Sequence, residues 1–197
     1  SGRGSLPLSS EQTVTLIQQH LASRKASRLP VLIVAAAYKA AGEYIGEQVK
    51  TLNAHNAADL QTGALGDIEI CLVNEDKVVT VYEMKTNPVS IDDIDIAVQK
   101  IANHTERIHN YIFITTQATD QTVFDYAKDF YEQTGGTEIA ILDCVGFLRH
   151  FLHFFHRIRN DFLDKYQDLV LAEPDSAVGQ PLKEAFLALR HAAESAE

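Results

Sequence analysis

Three charged side chains lie at the ends of two predicted strands, where the interior of a sheet does not normally accept charge. Asp67 begins the segment 67–73, whose residues alternate like those of a strand, and Glu83 and Lys85 end the β-branched segment 78–85. A polar turn joins the two strands into a hairpin, so the end of the second returns beside the start of the first. The pattern therefore predicts that two carboxylates and one ammonium group converge at one end of a sheet.

The chemistry of such a cluster follows from its charges. Two neighbouring carboxylates repel each other unless a cation neutralises them. A hard divalent ion with oxygen ligands suits the pair, Mg²⁺ above all, with Mn²⁺ as a substitute. The ammonium group of Lys85 would then orient a water molecule and stabilise charge on a phosphate group. The alternative is a simple ion pair between Glu83 and Lys85 at the end of a strand.

The elements around the hairpin indicate how these residues would be held. A helix is predicted from Val31 to Leu52, before the hairpin, and a second helix capped by Ser90 runs to about Asn103. Strands and helices then alternate, with predicted segments at 111–116, 120–134 and 138–143. A hairpin followed by alternating elements predicts an α/β fold with a central mixed sheet and helices on both faces.

In this order of elements, Gly66-Asp67 followed by Glu83-Met84-Lys85 resembles the PD-(D/E)XK nuclease superfamily. The resemblance implies a restriction-endonuclease-like three-layer α/β/α fold and metal-dependent hydrolysis of DNA phosphodiester bonds. It assigns catalysis to Asp67, Glu83 and Lys85. It assigns the metal, Mg²⁺, to Asp67, Glu83 and the backbone carbonyl of Met84. The proline that usually precedes the aspartate in the superfamily is Gly66 here.

The resemblance also suggests further site residues, each with a plainer alternative. An acidic residue on the first core helix would be Glu47, preferred over Glu43, although both can be ordinary surface carboxylates of a helix. Glu69 shares a strand face with Asp67, so it is either another metal ligand, a group supporting one, or a solvated side chain. Gln99 corresponds to the glutamine that some members carry on the helix after the lysine, facing the site, and is a further candidate for DNA contact.

Within the superfamily, the run from Asn56 to Glu69 most resembles type II restriction endonucleases, of the SacI kind. Gln61 and Thr62 precede the aspartate in this run, and their hydrogen-bonding groups are candidates for DNA contact. The rival interpretation is a nuclease-like module that binds or assembles without cutting. A repair nuclease, or one that acts on RNA, is a third possibility.

Composition limits how such a protein would hold DNA. The chain has 197 residues and a net charge of −10, which disfavours binding to polyanions or anionic membranes by surface charge alone. The resemblance implies DNA as partner, so we expect a homodimer or a longer polypeptide to supply the contacts that surface charge does not. Two cysteines are too few for a disulfide scaffold, and no signal peptide or membrane span is visible. These features predict a cytoplasmic, prokaryotic-type intracellular protein.

The predicted domain organisation has four parts. Residues 1–5 are typical of a cloning remnant, and 6–30 form a helix followed by a basic linker. Residues 31–145 make up the nuclease core. Residues 146–197 form a C-terminal helical extension, in which one helix runs from about Val145 to Leu171 and another starts at Leu182.

Overall fold

The computed structural model describes residues 6–53 and 65–196, which form an α/β protein. The chain divides into two compact units. The helical unit comprises the chain up to Ala41 and from Val145 onward, and the sheet unit extends from Gly42 to Cys144. No helix of the described residues is long and apolar enough to cross a membrane.

The helical unit is built mainly from amphipathic helices. Ser9 caps the first of them through a capping box with Gln12. The long helix predicted after Val145 is wrong, because it is interrupted at Phe155 by a 3-10 turn, His156–Ile158. The helices are α1 (Ser10–Leu21), α2 (Leu29–Ile45, which continues into the sheet unit), α6 (Cys144–Phe154), α7 (Arg159–Ala172) and α8 (Gln180–Ser195).

The helix predicted to run to Leu52 is also wrong beyond Ile45. Gly46 has a φ of +71°, the left-handed conformation that commonly ends a helix. Strand β1 (Glu47–Leu52) follows at once. The close approach of the strand to the helix also requires glycine at position 42, because a Cβ there would overlap the carbonyl group of Glu47. The prediction failed because it extended the helix along the apolar periodicity and did not treat Gly42 and Gly46 as signals for its end.

A mixed sheet forms the centre of the sheet unit, as predicted, but β1 adds a fifth strand to the four that the sequence indicates. The other strands are β2 (Ile68–Leu72), β3 (Val78–Lys85), β4 (Asn110–Thr115) and β5 (Glu138–Asp143). Their spatial order is β1-β2-β3-β4-β5. The first three pair antiparallel, whereas β3, β4 and β5 are parallel. The sheet is flanked by helices, an arrangement compatible with a three-layer α/β fold.

Helices connect the parallel strands and cover one face of the sheet. Helix α3 (Ile91–Asn103) joins β3 to β4. The helix predicted over 120–134 is split into α4 (Gln121–Lys128) and α5 (Phe130–Gln133) before Gly135 and Gly136 end it. Buried side chains of the helices and strands form one core: Val81, Tyr111, Phe113, Ile139 and Ile141 from the sheet, and Ile94, Ala97, Ile101, Val123 and Ala127 from the helices.

Candidate active site

Asp67 is fixed from both sides, just before the start of β2. Its backbone N–H donates to the Tyr82 carbonyl at 2.9 Å, and its carbonyl accepts from the Asn53 N–H at 2.9 Å. Its Oδ2 accepts a hydrogen bond from the Met84 N–H at 2.7 Å. The carboxylate is thereby held against the end of β3, as the hairpin pattern predicts.

The residue before this aspartate has no room for a side chain. A Cβ at Gly66 would lie 2.6 Å from Val81 Cγ1 and 2.7 Å from the Tyr82 carbonyl oxygen. Both contacts are with β3, the strand that carries Glu83. Gly66 therefore lets the chain pass close enough to β3 to deliver Asp67 to its end, and a proline at this position would not fit.

Glu83 and Lys85 each form an ion pair with α3 instead of with each other. Glu83 Oε1 lies 3.1 Å from Lys100 Nζ, and Lys85 Nζ lies 2.8 Å from Asp93 Oδ1. All four side chains are mostly buried, with exposed fractions between 15% and 29%. Asp93 and Lys100 are seven residues apart, about two helical turns, so they share one face of α3. The site thus comprises two strand ends and one helix face.

Asp93 has two functions in this arrangement. Its Oδ2 accepts from the Ser90 N–H at 2.9 Å, as half of the capping box at the start of α3, while its Oδ1 holds Lys85. Burial opposes ionisation of Asp93, but Lys85 and Ser90 outweigh it and hold the pKa of this carboxyl below its ordinary value. Lys85 is consequently tied to the first turn of a helix.

Tyr111 lies beneath the cluster and is completely buried. Its hydroxyl donates to the Leu65 carbonyl at 3.0 Å. The pKa of Tyr111 is raised, first by burial and then by the negative charge of Glu83; Asp67 and Asp93 add to the effect. Three carboxylates therefore act on one phenol group, which stays protonated and serves as a donor at neutral pH.

Glu47 and Glu43 are not brought to this cluster. Glu47 lies on β1, not on a helix, and pairs with Leu72, whereas Leu52 at the other end of β1 pairs with Ile68. Glu47 is therefore roughly 16 Å along the strand from the end that lies beside Asp67. Burial raises the pKa of Glu47, and Glu43 is exposed on α2.

Of the other predicted residues, one contacts the cluster, one is exposed and two lie in a part of the chain that the structure does not describe. Glu69 is half-buried, and its Oε1 accepts from the Leu65 N–H at 3.1 Å, so it supports the backbone just before Asp67. Gln99 is exposed on α3. Gln61 and Thr62 lie outside the described residues.

Sequence reasoning missed Asp93, Lys100 and Tyr111 as members of the cluster. Asp93 gives a misleading signal, because an acidic residue in the first turn of a helix is already explained by the helix dipole. A signal was available for Lys100, because its spacing from Asp93 puts both beside the buried stripe of α3. Tyr111 carried no such signal, since a tyrosine in an apolar strand is an ordinary core residue.

The donor set suits a divalent cation of the Mg²⁺ type. The described residues contain no group of three or more His, Cys, Asp or Glu side chains that could hold a metal ion. Mg²⁺, however, usually keeps several water molecules and is bound through one or two carboxylates. Asp67 and Glu83, together with the Met84 carbonyl, offer hard oxygen ligands of this kind. The residues present therefore fit the ion that the sequence implies.

Comparison with models of known protein families gave no match, and no curated protein matched the chain. The geometry of the cluster, together with the sequence pattern, is consequently the basis for what the protein does.

Proposed function

We propose that this protein is a metal-dependent endodeoxyribonuclease with a restriction-endonuclease-like core, the cleavage domain of a restriction endonuclease of type II. The main support is the position of Asp67, whose carboxylate reaches the end of β3 at Met84, between Glu83 and Lys85. Further support comes from the order of elements. A helix and a hairpin precede Lys85, and helix–strand–helix–strand follows, as the resemblance implies.

In the proposed mechanism, Asp67, Glu83 and the Met84 carbonyl would hold the ion. A bound Mg²⁺ would polarise the phosphate and lower the pKa of a bound water. Lys85 donates from Nζ to the attacking water and orients it towards phosphorus, while Asp93 holds the lysine in place. Water adds across the P–O3′ bond, so that one proton leaves the water and one reaches the departing 3′ oxygen. The products are a 5′-phosphate and a 3′-hydroxyl.

A second candidate is a nuclease-like module that binds nucleic acid or a protein partner without cutting. It is favoured by the ion pairs Lys85–Asp93 and Glu83–Lys100, which satisfy the charged groups without substrate. The enzyme ranks first because none of the three residues of the motif is lost.

The test is digestion of plasmid and phage DNA with and without Mg²⁺, followed by mapping of the ends. We expect the wild-type protein to cut only with the ion, and Asp67→Asn and Lys85→Ala to lose at least about 100-fold in rate while remaining folded, as removal of one group that stabilises transition-state charge typically does. Discrete fragments would indicate restriction, and a smear would indicate a nonspecific or repair nuclease.

Matched controls come from the other end of the same hairpin. Asp76→Asn and Lys77→Ala make the same changes at exposed positions and should cut at the wild-type rate. DNA that stays intact with the wild-type protein would support the binding module instead. Cutting of RNA but not DNA would overturn the DNA assignment alone.

A further inference from the structure

Lys100 is a charged residue of the cluster that the proposed mechanism does not use. It lies in the last turn of α3, and its Nζ is 3.1 Å from Glu83 Oε1 and 3.4 Å from the Leu65 carbonyl oxygen. Its side chain is 27% exposed. The ammonium group therefore lies at the mouth of the cluster, on the carboxylate that the mechanism assigns to the cation.

The cluster contains more negative than positive groups, so it gives a phosphate little electrostatic stabilisation. Among the described residues around Asp67, the carboxylates are Asp67, Glu69, Glu83 and Asp93, whereas the ammonium groups are Lys85 and Lys100. A phosphodiester brings another negative charge. Lys85 is tied to a carboxylate that also caps a helix. Lys100 is tied to Glu83 and to a neutral carbonyl, so it is the ammonium group that a change at Glu83 would release.

From this geometry, and resting on the proposed function, we infer that Lys100 is a second phosphate-binding residue. It pairs with Glu83 until a divalent cation binds there, and then turns to the substrate phosphate. The cation replaces Lys100 as the counter-ion of Glu83 and repels the neighbouring ammonium group. The flexible four-carbon side chain of lysine allows the ammonium group to move while the Cα of Lys100 stays on α3.

Two opposite effects follow for Lys100→Gln. Without DNA, Lys100 competes with the cation for Glu83, so its removal should tighten cation binding. The expected gain is about two- to fivefold, the range of a partly exposed ion pair. With the cation present, Lys100 would contact the phosphate, so its removal should weaken DNA binding. A lysine with a merely structural function would not move the two affinities in opposite directions.

The experiment measures both affinities without relying on cleavage. Titration calorimetry with Mn²⁺ gives cation affinity, and fluorescence anisotropy of a labelled mixed-sequence DNA duplex in Ca²⁺ gives DNA affinity over a range of salt concentrations. For Lys100→Gln we expect tighter Mn²⁺ binding, about tenfold weaker DNA binding, and a salt slope reduced by about one. Lys100→Arg should restore DNA binding, since it keeps the charge.

Lys128→Gln is the matched control, because Lys128 is 72% exposed on α4 and forms an ion pair with Asp125 on the same helix. It should change neither affinity. Unchanged or weaker Mn²⁺ binding by Lys100→Gln, or an unchanged salt slope, would overturn the inference while leaving the proposed function intact. If the wild-type protein binds neither Mn²⁺ nor the duplex, both the proposed function and the inference are wrong.

Discussion

Asp67 owes its position to backbone contacts more than to its own side chain. Asn53, which follows the end of β1, and Tyr82 of β3 bind its peptide groups, and the Met84 N–H binds its carboxylate. Gly66 allows this approach because it has no Cβ. A charged residue at the end of a sheet is thus held rigidly by neutral groups, which leaves its charge available for a cation.

The Tyr111 hydroxyl is expected to stabilise both the fold and the site. It donates to the carbonyl of Leu65, the residue directly before Gly66-Asp67. In Tyr111→Phe this buried carbonyl loses the 3.0 Å hydrogen bond from the phenol, which should lower the free energy of unfolding by about 1–2 kcal/mol. The loosened backbone should also slow cleavage. Urea unfolding followed by circular dichroism measures the first effect, and plasmid cutting measures the second.

Tyr126→Phe provides the comparison for this variant. Its hydroxyl donates to Asp95 Oδ1 at 2.5 Å, outside the cluster and at a partly exposed position of the same unit. We expect a smaller loss of stability and no change in cutting. If the two substitutions changed stability and cutting equally, the Tyr111 hydroxyl would not support the site beyond its effect on the fold.

At the scale of elements, α3 contributes as much to the candidate site as the hairpin does. Asp93 in its first turn and Lys100 in its last turn contact the two charged residues of β3. The buried stripe of Ile94, Ala97 and Ile101 fixes the rotation of the helix on the sheet. The helix therefore presents one acidic and one basic group at a set spacing along the end of β3.

The capping box of α3 should link helix stability to the position of Lys85. In Ser90→Ala, the Asp93 N–H loses its acceptor, Ser90 Oγ at 3.2 Å. The expected cost is about 1 kcal/mol in unfolding free energy. Because Asp93 belongs to the same box and holds Lys85, we also expect slower cleavage. Urea unfolding and plasmid cutting are again the measurements.

Helix α1 supplies a control of the same kind, since Ser9 and Gln12 form its capping box in the other unit. Ser9→Ala should cost a similar free energy but leave the cutting rate of the folded protein unchanged. If both variants cut DNA at the wild-type rate, the box of α3 stabilises the helix alone.

At the scale of the whole molecule, charge is distributed unequally between the two units. The sheet unit has eighteen acidic and six basic residues, a net charge of −12, whereas the helical unit has eleven basic and nine acidic residues, a net charge of +2. The unit that carries the candidate site would repel DNA at a distance. On the proposed function, a bound cation and specific contacts would have to offset this charge before DNA could bind.

The helical unit contains a buried histidine that should make stability depend on pH. His20 is fully buried, with its Nε2 2.8 Å from the Leu182 carbonyl and its Nδ1 2.7 Å from the Tyr166 hydroxyl. The carbonyl only accepts, so Nε2 carries the proton of the neutral ring. Burial lowers the pKa of His20 below 6.5, although the carbonyl opposes this effect. The unfolded chain thus binds a proton more readily, and stability falls as the pH drops below about 6.5.

Urea unfolding between pH 8 and pH 5 measures this effect in His20→Gln. The variant lacks the titrating ring. The difference in unfolding free energy between it and the wild-type protein should therefore become smaller below about pH 6.5, by at most about 1.4 kcal/mol per pH unit. His191→Gln, exposed on α8, should show no such change. A difference in unfolding free energy that stays constant across this pH range would contradict the pH effect assigned to His20.

The sequence alone predicted much of the local structure and part of the candidate site. Alternating and β-branched residues indicated β2 and β3, and Ser90 indicated the start of α3. The hairpin also predicted that Asp67 lies beside the end of β3, because a short turn leaves the two strands little choice of partner. These features depend on neighbours in the chain, so periodicity and turn residues are sufficient to specify them.

Only the tertiary structure decided the partners of the charged residues. Residues 47–52 form a strand because Gly46 ends the helix and β2 offers a partner, which removes Glu47 from the cluster. The packing of α3 on the sheet pairs Lys85 with Asp93 and Glu83 with Lys100, and it places Tyr111 beneath all of them. Such contacts join residues from separate elements, and their geometry depends on how the whole core packs, which no local pattern contains.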